Sequence, residues 1–356
     1  MRNKSFEAKK IVFIKTGAIG DVLMTTPLVR AVRKAFPNAS ITYVVGEQSV
    51  AVLKNNPNID HIITFDAYDA LDKNIFKLLG LARTIQRQHF DLAFILDKSY
   101  LAGLFGVLCG IPIRIGFDRN GEGVFNTHSV PYAAVKHEID YYLSLLHILH
   151  KKSDGNKMDL VIGEKEKRFA KEFFKKNNLT VNRCVCIAPA ATQDPGGIPS
   201  TRCWPDESYA KLIKGLADKG IPVLLVGSPS DASKARHIEK LANVSIVSAV
   251  GKTKTMLHAA ALMAQCPVTV THDCGNMPVA AATGSIVIAI FGPTDPRRKA
   301  PPGSNPLWKG SSCTTCEIRG TFPYCDKHPK TTEIAPTVVL RAVERILKKK
   351  SSNLEF

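Results

Sequence analysis

Short apolar runs rich in β-branched residues alternate along the chain with longer stretches whose apolar positions recur every three or four residues. Lys10 to Lys15, Ile41 to Val45, His61 to Phe65 and Asp91 to Asp97 read as strands, with helical spacing between them. One helical stretch puts Val22, Leu28, Val29, Val32 and Phe36 on a single face, and Lys73 to His89 does the same with Ile75, Leu78, Leu79, Ala82 and Ile85. Strands and helices alternating at this interval predict a parallel sheet. Arg114 to Asn126 reads as a polar, glycine-rich loop, His137 to His150 as a helix, and Lys151 to Lys157 as a linker. The alternation then restarts with strands at Cys184 to Ala188, Ile221 to Val226, Val268 to His272 and Ser285 to Phe291, and with helices at Asp206 to Lys219 and Asn276 to Thr283. A last helix, Thr332 to Lys350, ends in three lysines that suit its negative carboxyl end. The expectation is an α/β protein of two Rossmann-like domains facing across a cleft, 1–155 and 156–330, followed by a helix and basic tail over 331–356.

Composition narrows the class. A chain of 356 residues, 45% hydrophobic and 22% charged, is long enough for two cores and has the balance of a soluble protein. The longest uncharged apolar stretch, Leu101 to Ile113, is too short to span a membrane and is broken by glycines. The amino terminus MRNKSFEAKK has charge without an apolar segment, so the expected location is the cytoplasm. Nine cysteines, an odd number, fit reduced thiols there better than a disulfide framework. The formal charge of +17 asks for an anionic partner. No nucleic-acid-binding motif is present, so nucleic acid is excluded as the partner. An anionic membrane surface, a phosphate-bearing substrate or a merely soluble basic surface each account for the charge.

Two turns carry candidate chemistry. Thr16-Gly17-Ala18-Ile19-Gly20-Asp21 leaves the first strand with two glycines and a carboxylate, and its spacing matches neither GxGxxG nor GK[ST]. That argues against NAD and ATP hydrolysis. The glycines would let a ligand approach the backbone, and Asp21 is either a helix cap or a base. In the second half, Asp273-Cys274-Gly275 ends a buried strand and opens a helix whose first residues, Asn276 and Met277, would present N–H groups to an anion. Capping by Asp273 is the plainer reading. Cys313, Cys316, Cys325 and His328 have ligand types but irregular spacing, and they are read as local structure without metal.

With Lys15 to Pro27 (KTGAIGDVLMTTP), Arg202-Cys-Trp-Pro205, Asp273-Cys-Gly275 and Phe291-Gly-Pro-Thr-Asp-Pro296 in view, nearly the whole chain resembles the ADP-heptose:lipopolysaccharide heptosyltransferases, which are GT-B inverting glycosyltransferases. The resemblance implies transfer of heptose from ADP-heptose to the lipopolysaccharide inner core, with no cofactor, at the inner face of the cytoplasmic membrane. It implies Asp21 as catalytic base. It implies a donor site drawn from Thr16, Gly17, Gly20, Arg202, Asp231, Asp273, Cys274, Gly275, Asn276, Met277, Thr294 and Asp295. The chain departs from the family pattern at three places: Arg202 stands where Lys is usual, Cys274 where a hydroxyl is usual, and Pro278 where His is usual. Donor contacts should differ accordingly. Another nucleotide-sugar or acceptor, or a non-catalytic sugar-nucleotide-binding relative, is the alternative reading, with a nicotinamide-dependent oxidoreductase third.

Overall fold

Five of the six residues of β1 (Lys10–Lys15) are buried, as the central strand of a parallel sheet covered on both faces requires. The computed structural model describes residues 7–66, 75–190, 202–310 and 330–352. The chain forms two compact units, Met1–Val161 and Ile162–Phe356.

In the first unit β1 pairs in parallel with β2 (Ser40–Gly46) on one side and β4 (Leu92–Ile95) on the other. β3 (His61–Phe65), β5 (Ile113–Asp118) and β6 (His128–Pro131) complete the order β3-β2-β1-β4-β5-β6. The period-two alternation of β1 sorts its side chains. Phe13 stacks on Tyr43 and Phe94 from the neighbouring strands, at 5.9 and 4.8 Å between ring centres. Val12 and Ile14 join a second cluster with Ala82, Ile85 and Phe90. The connecting helices are α1 (Ile19–Leu23), α2 (Thr26–Ala35), α3 (Ile75–Gln86), α4 (Tyr100–Leu108) and α5 (Glu138–Ser144).

β5 replaces the first part of the expected loop over Arg114 to Asn126, and β6 follows just beyond it. Ile113, Ile115 and Phe117 alternate as a strand should, but Arg114, Gly116 and Asp118 between them disguise the run. β6 is an edge strand with no fully buried position, so it leaves no apolar signature.

The expected linker is also fastened down. Arg30 donates to Asp154, to the Lys157 carbonyl at 2.9 Å and to Asp159, while the Asp159 N–H donates to Thr26 Oγ1 at 2.8 Å. These contacts hold the segment to the first unit, and the division falls at Val161 and Ile162.

The second unit follows α6 (Glu164–Lys176) with β7 (Val185–Ala188), α7 (Asp206–Ala217), β8 (Val223–Leu225), α8 (Ala232–Ala242), β9 (Val247–Ser248) and α9 (Met256–Met263). β10 (Val268–His272), α10 (Asn276–Ala282), β11 (Ile286–Ile290), α11 (Pro296–Lys299), β12 (Asn305–Leu307) and α12 (Pro336–Ser352) complete it. Its strand order is β12-β11-β10-β7-β8-β9, all parallel. The edge position of β12 explains how it accommodates Pro306.

The terminal helix belongs to this unit's core: Val339, Ala342 and Val343 pack with Trp204, Tyr209 and the strands. Trp204 is fully buried, and its Nε1 donates to the Ile334 carbonyl at 3.0 Å. A Cβ on Gly215 of α7 would stand 2.9 Å from Leu340 Cδ2, so glycine sets the approach of α12.

Each sheet reverses its winding beside its first strand, between β1 and β4 and between β7 and β10. Loops leaving the carboxyl ends of strands diverge at such a reversal and leave a crevice for a ligand.

Candidate functional site

The reversal in the first unit gathers residues from two distant stretches. Lys15 ends β1, and Asp97 follows β4. Asp97 is ion-paired with Lys15 and accepts from the Thr16 N–H and Thr16 Oγ1, each at 2.7 Å. Burial alone would raise the Asp97 pKa, but the Lys15 ammonium and the Thr16 donors together hold it below the usual carboxylate range.

The turn that follows contains Gly17, whose carbonyl accepts from Ser49 Oγ at 3.0 Å. A Cβ on Gly17 would lie 2.8 Å from Lys15 Nζ and 3.9 Å from Asp21 Oδ2, which places the carboxylate and the ammonium around one small volume that only glycine leaves open. Gly20 is buried inside α1. Ala18 is the N-cap of α1 and Asp21 sits in its first turn, so Asp21 is not the capping residue.

One strand further, Lys98 pairs with the buried Glu138 at 2.6 Å. Its ammonium lies 4.4 Å from the centre of the Tyr132 ring, 5.5 Å from Tyr142 and 5.8 Å from Phe117. Tyr132 donates its hydroxyl to Glu138. The sequence reading missed Lys15, Asp97, Lys98 and Glu138 as site residues. Their signal was the position of Lys15 at the end of β1 and of Asp97-Lys98 just past β4, at the same edge of one sheet.

In the second unit β10 delivers His272 and Asp273 to the corresponding edge. His272 is completely buried with Nδ1 2.9 Å from the Tyr209 hydroxyl. Burial first, then the charges of Lys234 and Arg202, pull its pKa down to about 3, so the ring is neutral. Each of these cations has a carboxylate partner, Lys234 pairing with Asp206 at 2.5 Å. Arg202 Nη1 stands 3.8 Å from Asp273 Oδ2.

Cys274 turns its sulfur inward, 3.3 Å from Thr271 Oγ1, and Thr271 donates to the Ala188 carbonyl of β7 at 2.8 Å. Burial pushes the Cys274 thiol up to about 11, although the Asn276 and Met277 N–H groups point toward it. Gly275 is the N-cap of α10, and Pro278 falls within the first turn, where no intrahelical N–H is lost.

Thr294 and Asp295 follow β11, the neighbouring strand. Asp295 caps α11 by accepting from the Arg297 N–H at 2.8 Å. Thr294 Oγ1 is buried and has no hydrogen-bond partner among the described residues. Asp231, after β8, accepts from the N–H and Oγ of Ser228 at 2.7 and 2.6 Å and so closes its own turn.

Of the expected residues, Thr16, Gly17, Gly20 and Asp21 therefore belong to the first unit. Arg202, Asp231, Asp273 to Met277, Thr294 and Asp295 belong to the second. Cys313, Cys316, Cys325 and His328 lie outside the described residues. Among the described residues no cluster of three or more His, Cys, Asp or Glu could hold a metal ion.

Two parallel six-stranded Rossmann-like sheets in two units are the architecture of the two-domain GT-B glycosyltransferases. The chain belongs to glycosyltransferase family 9 (heptosyltransferase), whose profile matches residues 78–317. It is 27% identical over 304 residues to lipopolysaccharide heptosyltransferase 2 of Escherichia coli K12, a match covering 81% of this chain and 84% of that one. Its fold is that of the glycosyl transferase family 9 structure from Veillonella parvula (TM-score 0.80, 24% identity, 96% of this chain and 97% of that one). It is equally that of E. coli ADP-heptose lps heptosyltransferase II (TM-score 0.74, 22% identity, 96% and 99%).

Proposed function

We propose that this chain transfers a heptose from ADP-heptose to the inner core of lipopolysaccharide with inversion at the anomeric carbon, the first unit binding the acceptor and the second the donor. Family membership and the likeness to a lipopolysaccharide heptosyltransferase support the reaction class. The observation that carries the assignment of roles is the Asp21 carboxylate standing beside Gly17 and Lys15 on the turn out of β1.

Asp21 takes the proton from the acceptor hydroxyl as its oxygen attacks the anomeric carbon from the face opposite ADP. Lys15, anchored by Asp97, fixes the field around that carboxylate. The sugar passes through an oxocarbenium-like state, and negative charge grows on the departing diphosphate. Arg202, the N–H of Gly275 and the Thr294 hydroxyl are the donors this reading assigns to that charge, since the Asn276 and Met277 N–H groups are turned to Cys274. Asp273 holds Arg202 in place, Asp295 shapes the adjoining turn, and Asp231 orders the loop that would face the ribose. Cys274 and Pro278 favour a second reading, a different nucleotide-sugar donor, because they change the residue types at the donor turn.

Release of nucleoside diphosphate from a panel of nucleotide-sugars, with a lipopolysaccharide core acceptor, tests both readings. ADP-heptose should be turned over, and Asp21→Asn should lose about 10²- to 10⁴-fold in kcat while ADP binding persists. Turnover of another donor alone supports the second reading. Full activity of Asp21→Asn refutes the base assignment, and ADP binding without turnover of any donor makes the chain a binding protein. The site of action we propose is peripheral, at the inner face of the cytoplasmic membrane; no described helix is long and apolar enough to cross it.

A further inference from the structure

Seven of the ten exposed large hydrophobic side chains among the described residues fall between residues 75 and 124 of the first unit. Phe76 is 84% exposed, Val124 70%, Ile75 61% and Leu101 58%. They occupy neighbouring pieces of surface. α3 packs against α4. Gly110, just past α4, faces Gln86 at the end of α3, and Gly103 of α4 sits against Phe125, the residue after Val124.

α4 itself, YLAGLFGVL, has no charged residue. Gly103 and Gly106 are its buried positions, while Tyr100, Leu101, Val107 and Leu108 are exposed. A helix apolar all round belongs between two covers, and this one has a single cover within its unit. Its nine residues reach about 14 Å, far short of a membrane span. An apolar surface of this kind marks a contact with another body.

Charge identifies that body. α3 and α4 contain no Asp or Glu, while Arg83 of α3 and Arg87 just beyond it are exposed. A second copy of the chain seated on this face would bring those cations against their own counterparts. An anionic bilayer meets both features at once, acyl chains for Phe76 and Leu101 and headgroup phosphates for Arg83 and Arg87.

We propose that the α3–α4 face of the first unit is a membrane-docking surface that lies in the interface of an anionic bilayer. The inference rests on the proposed lipid-borne acceptor for its purpose, and its physical test is separate from catalysis. Cosedimentation with phosphatidylglycerol–phosphatidylethanolamine vesicles should show binding that weakens with salt, and phosphatidylcholine vesicles should bind little. The double variant Phe76→Glu/Leu101→Glu should reduce binding to the anionic vesicles by at least about tenfold, and Arg83→Glu/Arg87→Glu should weaken binding at low salt and flatten its salt dependence. Both pairs are exposed, so thermal unfolding and turnover of a lipid-free core acceptor should match the parent.

Equal vesicle binding by parent and variants, or no binding by the parent, overturns the proposal. Self-association of the parent that the double variant abolishes also overturns it, by assigning the face to a second copy. Vesicle binding without heptose turnover refutes the transfer reading alone. Turnover of the lipid-free acceptor with unchanged vesicle binding in the variants refutes the docking surface alone.

Discussion

Replacing Asp97 by Asn keeps the shape of the side chain and removes the charge that faces the Lys15 ammonium. The Lys15 and Asp97 side chains are only 8% and 16% exposed, so little water is available to take over. Breaking a buried pair by removing one partner costs about 3–5 kcal/mol, a large share of the roughly 5–15 kcal/mol that holds a domain folded. The amide oxygen of Asn can still accept from Thr16, which places the expected loss near the lower end, about 3 kcal/mol. Removing both charges, as in Lys15→Met/Asp97→Leu, should cost less than the single change, because no buried ammonium then lacks the Asp97 carboxylate.

Both tryptophans, Trp204 and Trp308, lie in the second unit, so their fluorescence is blind to this change. Hydrogen exchange of β1 and β4 peptides reads the first unit directly. A slowing factor in those peptides that falls by less than about tenfold in Asp97→Asn, or a double variant weaker than the single one, would refute the reasoning. The sign of the pH dependence is also set. The folded pKa of Asp97 is depressed, so its stabilisation is complete above the unfolded value near 3.9 and is lost as pH falls below it. The parent should show this acid-side loss, and Asp97→Asn should not.

The remaining predictions concern three other residues. His272 is neutral with its pKa pulled down to about 3, so its environment costs no stability above about pH 6.5, and the second unit should lose stability progressively as pH falls from about 6.5 to about 3. Tryptophan-monitored urea unfolding should show this slope in the parent and lose it in His272→Gln. Gly215→Ala places a methyl 2.9 Å from Leu340 Cδ2, the movable end of a half-buried side chain, and gains about 1 kcal/mol of helix propensity, so it should change stability by less than about 1 kcal/mol in the same assay, and Gly215→Ala/Leu340→Ala should separate the two effects. Gly17→Ala must displace the Lys15 ammonium, 2.8 Å from the new methyl, and should lower kcat more than KM while leaving ADP binding intact. Unchanged turnover would show that the space beside Gly17 is not used.

Much of the fold was legible because buried parallel strands are continuous apolar runs. β1, β2, β4, β7, β10 and β11 all announced themselves that way. β5, β6 and β12 did not, since a glycine and charges interrupt the first and the other two are edge strands that lack two buried faces. The terminal helix was legible as a helix but not as part of a core. Its partner Trp204 lies 130 residues earlier in the chain.

The candidate site divides in the same way. Asp21, Gly17 and the turn Asp273 to Gly275 were found by local spacing, because a strand, a turn and a helix start are neighbours in the chain. Lys15 and Asp97 are 82 residues apart, and their pairing depends on β4 lying beside β1. The order of apolar runs, by itself, determined two parallel sheets and where each loop leaves them. Only the tertiary structure decided the order of strands within each sheet. It thereby decided which carboxylate meets which cation, because strand neighbours are chosen by packing across the whole sheet and not by any spacing along the chain.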